Sequence, residues 1–316
     1  MWKERIDSAY SRIQSEINKT PLEYSYPLSH LSKANVYLKL ENYQISGSFK
    51  IRGVLNKLLS LETGQIEKGL VACSTGNHGA AFAYALKKFG HQGILFLPTN
   101  TSRAKIEALH YYDVDLQFHA TDCVITEGYS REYAKTHNKP LIHPYNDMEV
   151  LVGQGTIARE VLDQSNFNAD VIIVPVGGGG LISGIATYFK EVSPDTEVVG
   201  AQPENSAVMF ESIKHGHIVD DDNRVTISDA TAGGIEKDSI TFEICRDMVD
   251  YFELINEDDI RKGLKLLIEH HQMIVEGAAA LTVAALLKNS SRFKNKNVIL
   301  ILTGKRISNS LLKELF

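Results

Sequence analysis

The sequence predicts an α/β protein built on parallel sheet, and three observations carry that expectation. Short, mostly apolar runs recur along the chain, segments of helical period lie between them, and loops of small residues follow several of the runs. Residues 36–40, 69–73, 93–97, 171–176 and 298–302 are the clearest strands, with a shorter one at 198–201. A continuous apolar run, unlike an alternating one, suits a strand covered on both faces. Helical patterns follow at 79–89, 102–111, 155–162, 181–191, 258–271 and 278–287, with another helix beginning near Lys50. Strands that alternate with helices in this way imply right-handed crossovers. The irregular stretch 143–147 reads as a crossing between units. It divides the chain into a larger unit, residues 1–59 with 147–316, and an inserted smaller one, residues 60–146. No internal repeat or low-complexity tract interrupts the pattern.

Composition narrows the class of protein. The 316 residues are 43% hydrophobic and 23% charged, enough apolar surface for a large core and typical of a globular chain. A net charge of -6 without a basic stretch gives no reason to expect nucleic acid or an acidic membrane as partner. The opening residues 1–7 are mixed and charged, unlike a secretory signal. No apolar run approaches the roughly 20 residues that a membrane helix needs. Cys73, Cys123 and Cys245 stand apart without CxxC spacing, which suits a reducing compartment and buried, inert roles. A cytoplasmic location without membrane association is expected.

The chemistry concentrates in loops that follow apolar strands, where open α/β sheets bind ligands. Lys50 lies after the first strand, with Gly47 and Ser48 before it and Phe49 beside it. A lysine partly withdrawn from water loses preference for its charged form, and the neutral amine can attack an aldehyde. An arbitrary lysine at a helix start is usually solvated; the company of the other loops argues otherwise here. Ser74, Thr75, Gly76, Asn77, His78 and Gly79 form the second loop, rich in hydroxyls and amides at a helix start and suited to a carboxylate. An ordinary cap would need one such residue, not six.

Gly177, Gly178, Gly179 and Gly180 form the third loop, whose N–H groups suit a phosphate. The dinucleotide pattern GxGxxG fails here in every register, since Ile182 or Ser183 stands at its last position. A P-loop reading puts Ile185 where lysine is required, and the next strand ends in Gln202 where a ribose-binding acid would stand. Thr303 and Gly304 close the last strand. A reactive lysine beside an aromatic ring, a phosphate cradle and a carboxylate cradle together describe pyridoxal phosphate acting on an amino acid.

Six segments carry a resemblance: SGSFKIRG (46–53), STGNHG (74–79), GQGT (153–156), VPVGGGGL (174–181), VEGAAA (275–280) and LTG (302–304). In this order, over essentially the whole chain, they resemble the serine/threonine dehydratase and serine racemase family. AGGIEKDSITFE (232–243) is similar to the ectoine-utilisation type of threonine dehydratase. The resemblance implies fold-type II of the pyridoxal-phosphate enzymes (tryptophan synthase β-like), with two open, mostly parallel sheets flanked by helices. The larger unit would then be the cofactor-binding domain and the smaller one a substrate gate.

The resemblance also implies roles. Lys50 would carry the Schiff base to the cofactor and act as base at the substrate Cα, and Phe49 would pack on the pyridine ring. Asn77 would bond the ring's 3-hydroxyl oxygen, Gly177, Gly178, Gly179 and Gly180 would hold the phosphate, and Thr303 would face the pyridine nitrogen. Ser74, Thr75, Asn77 and His78 would surround the substrate carboxylate. The implied reaction is deaminating dehydration of threonine or serine to a 2-keto acid and ammonia, by a homodimer; serine or amino-acid racemisation is the alternative.

Three departures from the family pattern matter. Thr75 stands where dehydratases carry alanine and racemases a serine that protonates Cα, so it is a second candidate catalytic residue. Gln202 and Val208 stand where racemases place two acidic metal ligands, so no metal is expected, although Glu204 is near. Thr303-Gly304-Lys305-Arg306 replaces serine-glycine-glycine-asparagine. The sequence ends at Phe316, where biosynthetic dehydratases generally append a regulatory domain, so a catabolic role is expected. A cysteine-synthase reaction fits the lysine context less well, and a nicotinamide oxidoreductase is disfavoured by the failed fingerprint. A cofactor-binding protein without turnover is the remaining alternative. His215, His217 and the aspartates 220–222 read as a solvated loop rather than a chelating cluster.

Overall fold

A computed structural model describes residues 1–121, 123–220 and 224–316. Among the described residues, nine strands run in chain order as β1 Leu22–Tyr24, β2 Asn35–Lys39, β3 Leu70–Cys73, β4 Gly93–Leu97, β5 Asp115–Phe118, β6 Val171–Pro175, β7 Glu197–Pro203, β8 Tyr251–Ile255 and β9 Asn297–Ile301. They form two sheets, one of six strands in the order β1-β2-β9-β6-β7-β8 and one of three in the order β3-β4-β5. Every pairing is parallel except that of edge strand β1 with β2. This is the fold-type II architecture that the sequence implies.

The strand composition follows from burial on both faces. In β9, Val298 and Leu300 enter the core on one side of the sheet, while Ile299 and Ile301 enter the core on the other. In the smaller sheet, Leu70 and Ala72 meet one core, and Val71 with Cys73 the opposite one. Each strand therefore has no polar face to show, and the runs read as continuously apolar. Three strands escaped the sequence pattern. β1 has only three residues, β5 lies at an edge and is half-exposed, and β8 alternates buried with partly buried side chains.

Helix Lys50–Ser60 is the joint between the sheets. Ile51, Val54, Leu55 and Leu58 enter the core of the smaller sheet, while another side of the helix lies against helix Met148–Gln164. That contact is backbone to backbone: a Cβ on Gly153 would sit 2.7 Å from the Gly53 Cα, and one on Gly155 would sit 2.8 Å from the Gly184 carbonyl. The GQGT segment thus serves close packing of three helices rather than ligand contact.

Beneath that joint lies a closed ion cluster. Arg52 donates to Glu41 at 2.8 Å through Nε and Nη2, and to Glu160 at 2.8 and 2.9 Å through Nη1 and Nη2. Lys39 Nζ donates to Glu160 Oε2 and to the Thr20 carbonyl, both at 2.7 Å. All four side chains have 0% exposure. Two cations and two carboxylates cancel, and the network ties β2, the first turn of the Lys50 helix and helix Met148–Gln164 into one unit.

Candidate active site

The strand ends converge on one large cavity of about 1510 Å³. Phe49, Lys50, Ser74, Thr75, Asn77, His78, Gly177, Gly178, Gly179, Gly180 and Thr303 all line it. These candidate site residues are thereby brought together, although they span more than 250 residues of sequence, while Gly47, Ser48, Gly79 and Gly304 of the same loops do not line the cavity.

Pairing of β2 with β9 explains how the first and last loops meet. The Phe49 N–H donates to the Thr303 carbonyl at 3.0 Å, and the Lys305 N–H to the Gly47 carbonyl at 3.1 Å, where Gly47 has φ of +84°. Lys305 then points to the exposed surface, while Arg306 lies on the cavity rim and donates to the Ser46 carbonyl. Lys50 begins its helix, and its Nζ donates to the Pro144 carbonyl at 2.7 Å. Burial pushes the amine down to about 8, with Glu276 and Glu127 opposing. The Phe49 ring is buried, 5.2 Å from the amine.

The second loop bends between β3 and helix Asn77–Phe89. Ser74 Oγ accepts the Gly76 N–H at 3.1 Å, and Gly76 caps the helix, which starts two residues earlier than the apolar pattern alone marks. Asn77 Nδ2 donates to Glu276 Oε2 at 2.7 Å, while its Oδ1 is buried without a partner. His78 Nε2 donates to the Ile142 carbonyl at 2.7 Å, which leaves the partnerless Nδ1 as the lone-pair atom. Burial depresses this ring to about 3, so it stays neutral.

The third loop is the cavity's phosphate-sized cradle. A Cβ on Gly178 would sit 2.6 Å from the Tyr145 ring, and one on Gly177 would sit 2.9 Å from the Thr231 Cα. Gly179, at φ of +84°, caps helix Gly180–Val192, whose first N–H groups have no intrahelical acceptor. The glycines thus let the loop pack against Tyr145 and Thr231 where no side chain fits, and the free N–H groups at the helix start suit an anion in the cavity.

Glu276 was quoted within a motif but given no role by the sequence. It accepts from both Asn77 and Thr303, the latter at 2.9 Å from Oγ1 to Oε1, and so links the second and fourth loops. Burial pushes its carboxyl up to about 7, against the lowering effect of those two hydrogen bonds. An acid immediately before a helix of small residues was the available signal. The crossing 143–146 was read as irregular chain, yet it supplies the Pro144 acceptor and the Tyr145 ring against the glycines.

Other expectations are met unevenly. Cys73 and Cys245 are buried, and burial pushes both thiols up to about 12, but Cys123 is exposed on the cavity wall, a correction to its expected burial. It starts helix Cys123–Thr136. Gln202 Oε1 accepts the Phe210 N–H at 2.8 Å, and Glu204 pairs with Lys288 at 3.5 Å. His215 and His217 bond backbone carbonyls, while Asp221 and Asp222 lie outside the described residues. Among the described residues no helix is long and apolar enough to cross a membrane.

The two sheets, with a lysine amine and a glycine cradle facing one cavity between them, define a fold-type II enzyme whose cofactor carries an aldehyde and a phosphate. Asn77 Oδ1 fits such a group as an orphaned buried acceptor, and the glycine loop fits it by lining the cavity at the start of helix Gly180–Val192, whose first N–H groups have no intrahelical acceptor. The chain belongs to the family of pyridoxal-phosphate dependent enzymes, which it matches over residues 13–304, and its cofactor is pyridoxal 5′-phosphate. It is 37% identical over 306 residues to L-threonine dehydratase catabolic TdcB of Staphylococcus aureus, covering 96% of this chain and 88% of that protein. Its structure is similar to threonine deaminase isoform 2 of Solanum lycopersicum, with a TM-score of 0.93 and 29% identity over 99% of this chain and 86% of that one. Serine racemase of Dictyostelium discoideum is similar too, with a TM-score of 0.89 and 32% identity over 96% and 98% of the two chains.

Proposed function

We propose that this chain is a deaminating dehydratase of β-hydroxy L-amino acids, threonine and serine first, that releases a 2-keto acid and ammonia. The observation that carries this reading is the Lys50 amine, held at 2.7 Å by a neutral carbonyl and lowered by burial to about 8. When bound, the cofactor supplies an aldehyde for amines and an electron-withdrawing ring that makes a substrate's α-proton removable. Lys50 would hold the cofactor through its aldehyde, and its free amine would take the proton from the substrate Cα. An amine near 8 is neutral often enough at physiological pH to act as that base.

Phe49 would pack against the cofactor, and Gly177 to Gly180 would hold its phosphate with the helix Gly180–Val192 behind them. Asn77 and Thr303 address the ring edge, both oriented by Glu276. A hydroxyl at Thr303 would not supply a proton to the cofactor as a carboxylic acid would, which would favour loss of the β-hydroxyl. Ser74, Thr75 and Asn77 surround the substrate carboxylate at the start of helix Asn77–Phe89, and His78 shapes the floor as a neutral ring. Residues 1–59 with 147–316 act as the cofactor domain and 60–146 as the part that closes over substrate. A cytoplasmic homodimer accompanies this reading, and the relatives named as dehydratases support the activity.

Ammonia and keto-acid release from L-threonine, L-serine and L-threo-3-hydroxyaspartate tests the proposal. Turnover of at least one, abolished in Lys50→Ala, is the expected result; full activity in that variant would sink the mechanism. Racemisation is a second reading, favoured by the Thr75 hydroxyl on the cavity wall. Enantiomer formation from either serine isomer, lost in Thr75→Ala, would support it.

A further inference from the structure

Arg131, on helix Cys123–Thr136, faces the cavity from one wall, and Glu236, in the loop before helix Ile240–Met248, faces it from the other. The two form an ion pair across the mouth. The crossing 143–146 fixes the Glu236 carboxylate from below. His143 Nδ1 accepts N–H groups from Tyr145 at 3.2 Å and Asn146 at 2.7 Å, so its proton resides on Nε2, which donates to Glu236 Oε1 at 3.0 Å. Asn146 Nδ2 donates to Oε2 at 2.6 Å, and the Glu236 N–H reaches the Tyr145 hydroxyl at 3.1 Å. Pro144, in the middle of that crossing, is the acceptor of Lys50. The Glu236 carboxylate is thus registered against the reacting amine through three consecutive neighbours.

An arginine fork at a cavity wall is the natural receptor for a carboxylate. Here the fork is taken by a carboxylate of the chain itself, as are the side-chain donors of His143 and Asn146. A substrate whose side chain carried a second carboxylate would meet the Glu236 charge with those donors already occupied. We propose that Glu236 sets the substrate class of the site: by engaging Arg131 it rejects dicarboxylic amino acids and directs the cavity to those with neutral side chains. This rests on the amino-acid reading of the site given above and narrows it.

The test titrates the holoenzyme with L-alanine and L-aspartate, which lack a β-hydroxyl, so that binding is read without elimination. The wild type is expected to prefer alanine by on the order of 100-fold. Glu236→Gln should shrink that preference by about tenfold or more, because a freed guanidinium then accepts the second carboxylate. Adding Arg131→Leu to Glu236→Gln should restore it. Arg131→Leu alone should raise it, since Glu236 then stands without its cation, and this arm holds even if Glu236→Gln fails to fold. An unchanged ratio in Glu236→Gln, aspartate binding as tight as alanine in the wild type, or a lowered ratio in Arg131→Leu each overturns the proposal. Ammonia release from L-threonine is measured in parallel. Its absence sinks the dehydratase reading, whereas the ligand ratio still reports on Glu236.

Discussion

Lys50 and Arg52 are two residues apart on one helix, about 200° around its axis, and they enter opposite electrostatic settings. Burial disfavours the Arg52 charge, yet Glu41 and Glu160 hold it firmly ionised, and the surrounding cluster is neutral as a whole. Lys50 meets burial with a carbonyl as its hydrogen-bond partner, and its amine is lowered to about 8. Near it, burial depresses His78 to about 3 and raises Glu276 to about 7. Both regions withdraw titratable groups from water; compensation is what separates them. Paired charges stay charged and fix structure, whereas groups buried among neutral partners move toward neutrality, where they can exchange protons.

Exchanging the roles of the two regions tests this contrast. The largest effect is expected for Lys50→Met, which should abolish ammonia release while leaving the melting temperature within about 4 °C of wild type. A large stability loss there would mean that Lys50 belongs with the structural ions. Glu160→Gln should do the reverse, lowering stability by about 3–5 kcal/mol in urea unfolding because Arg52 and Lys39 keep a buried charge without full compensation. Retained stability in that variant would break the distinction from the other side.

Gly178→Ala should come next. Its Cβ would stand 2.6 Å from the Tyr145 ring, so the ring or the loop must shift, at about 1–3 kcal/mol and with weakened cofactor retention on dialysis. The smallest effect is a pH dependence. Burial raises Glu276 to about 7 from an ordinary 4.5, so the folded chain keeps a proton that the unfolded chain has released. The stability this group contributes is full below pH 4.5, is lost as pH rises through about 7, and is flat beyond. Relative to wild type, cofactor-free Glu276→Gln should therefore gain stability across that window, as read by melting at each pH. A difference independent of pH would show that Glu276 titrates as an ordinary carboxyl.

Much of the site was legible because its chemistry is local in sequence. The glycine run, the small residues before Lys50 and the hydroxyl-rich loop after β3 each declare a backbone approach or an anion site within a few residues. The long strands declared themselves by being apolar throughout, while β1, β5 and β8 are too short or too exposed to do so. Glu276 gave only a weak sign, since its partners Asn77 and Thr303 lie 199 and 27 residues away. Cys123 was expected to be buried and is exposed, because a cysteine's burial depends on what packs over it.

The sequence alone determined the α/β class, the order of the loops and the chemical types lining the cavity, because strand burial and backbone freedom are written in consecutive residues. Tertiary structure decided the protonation states and the outer wall. Lys50 is lowered by what surrounds it, Glu276 is raised by its own burial, and Arg131 is held by a residue more than 100 positions away. Desolvation and charge pairing depend on distance in space, and no run of neighbouring residues records that distance.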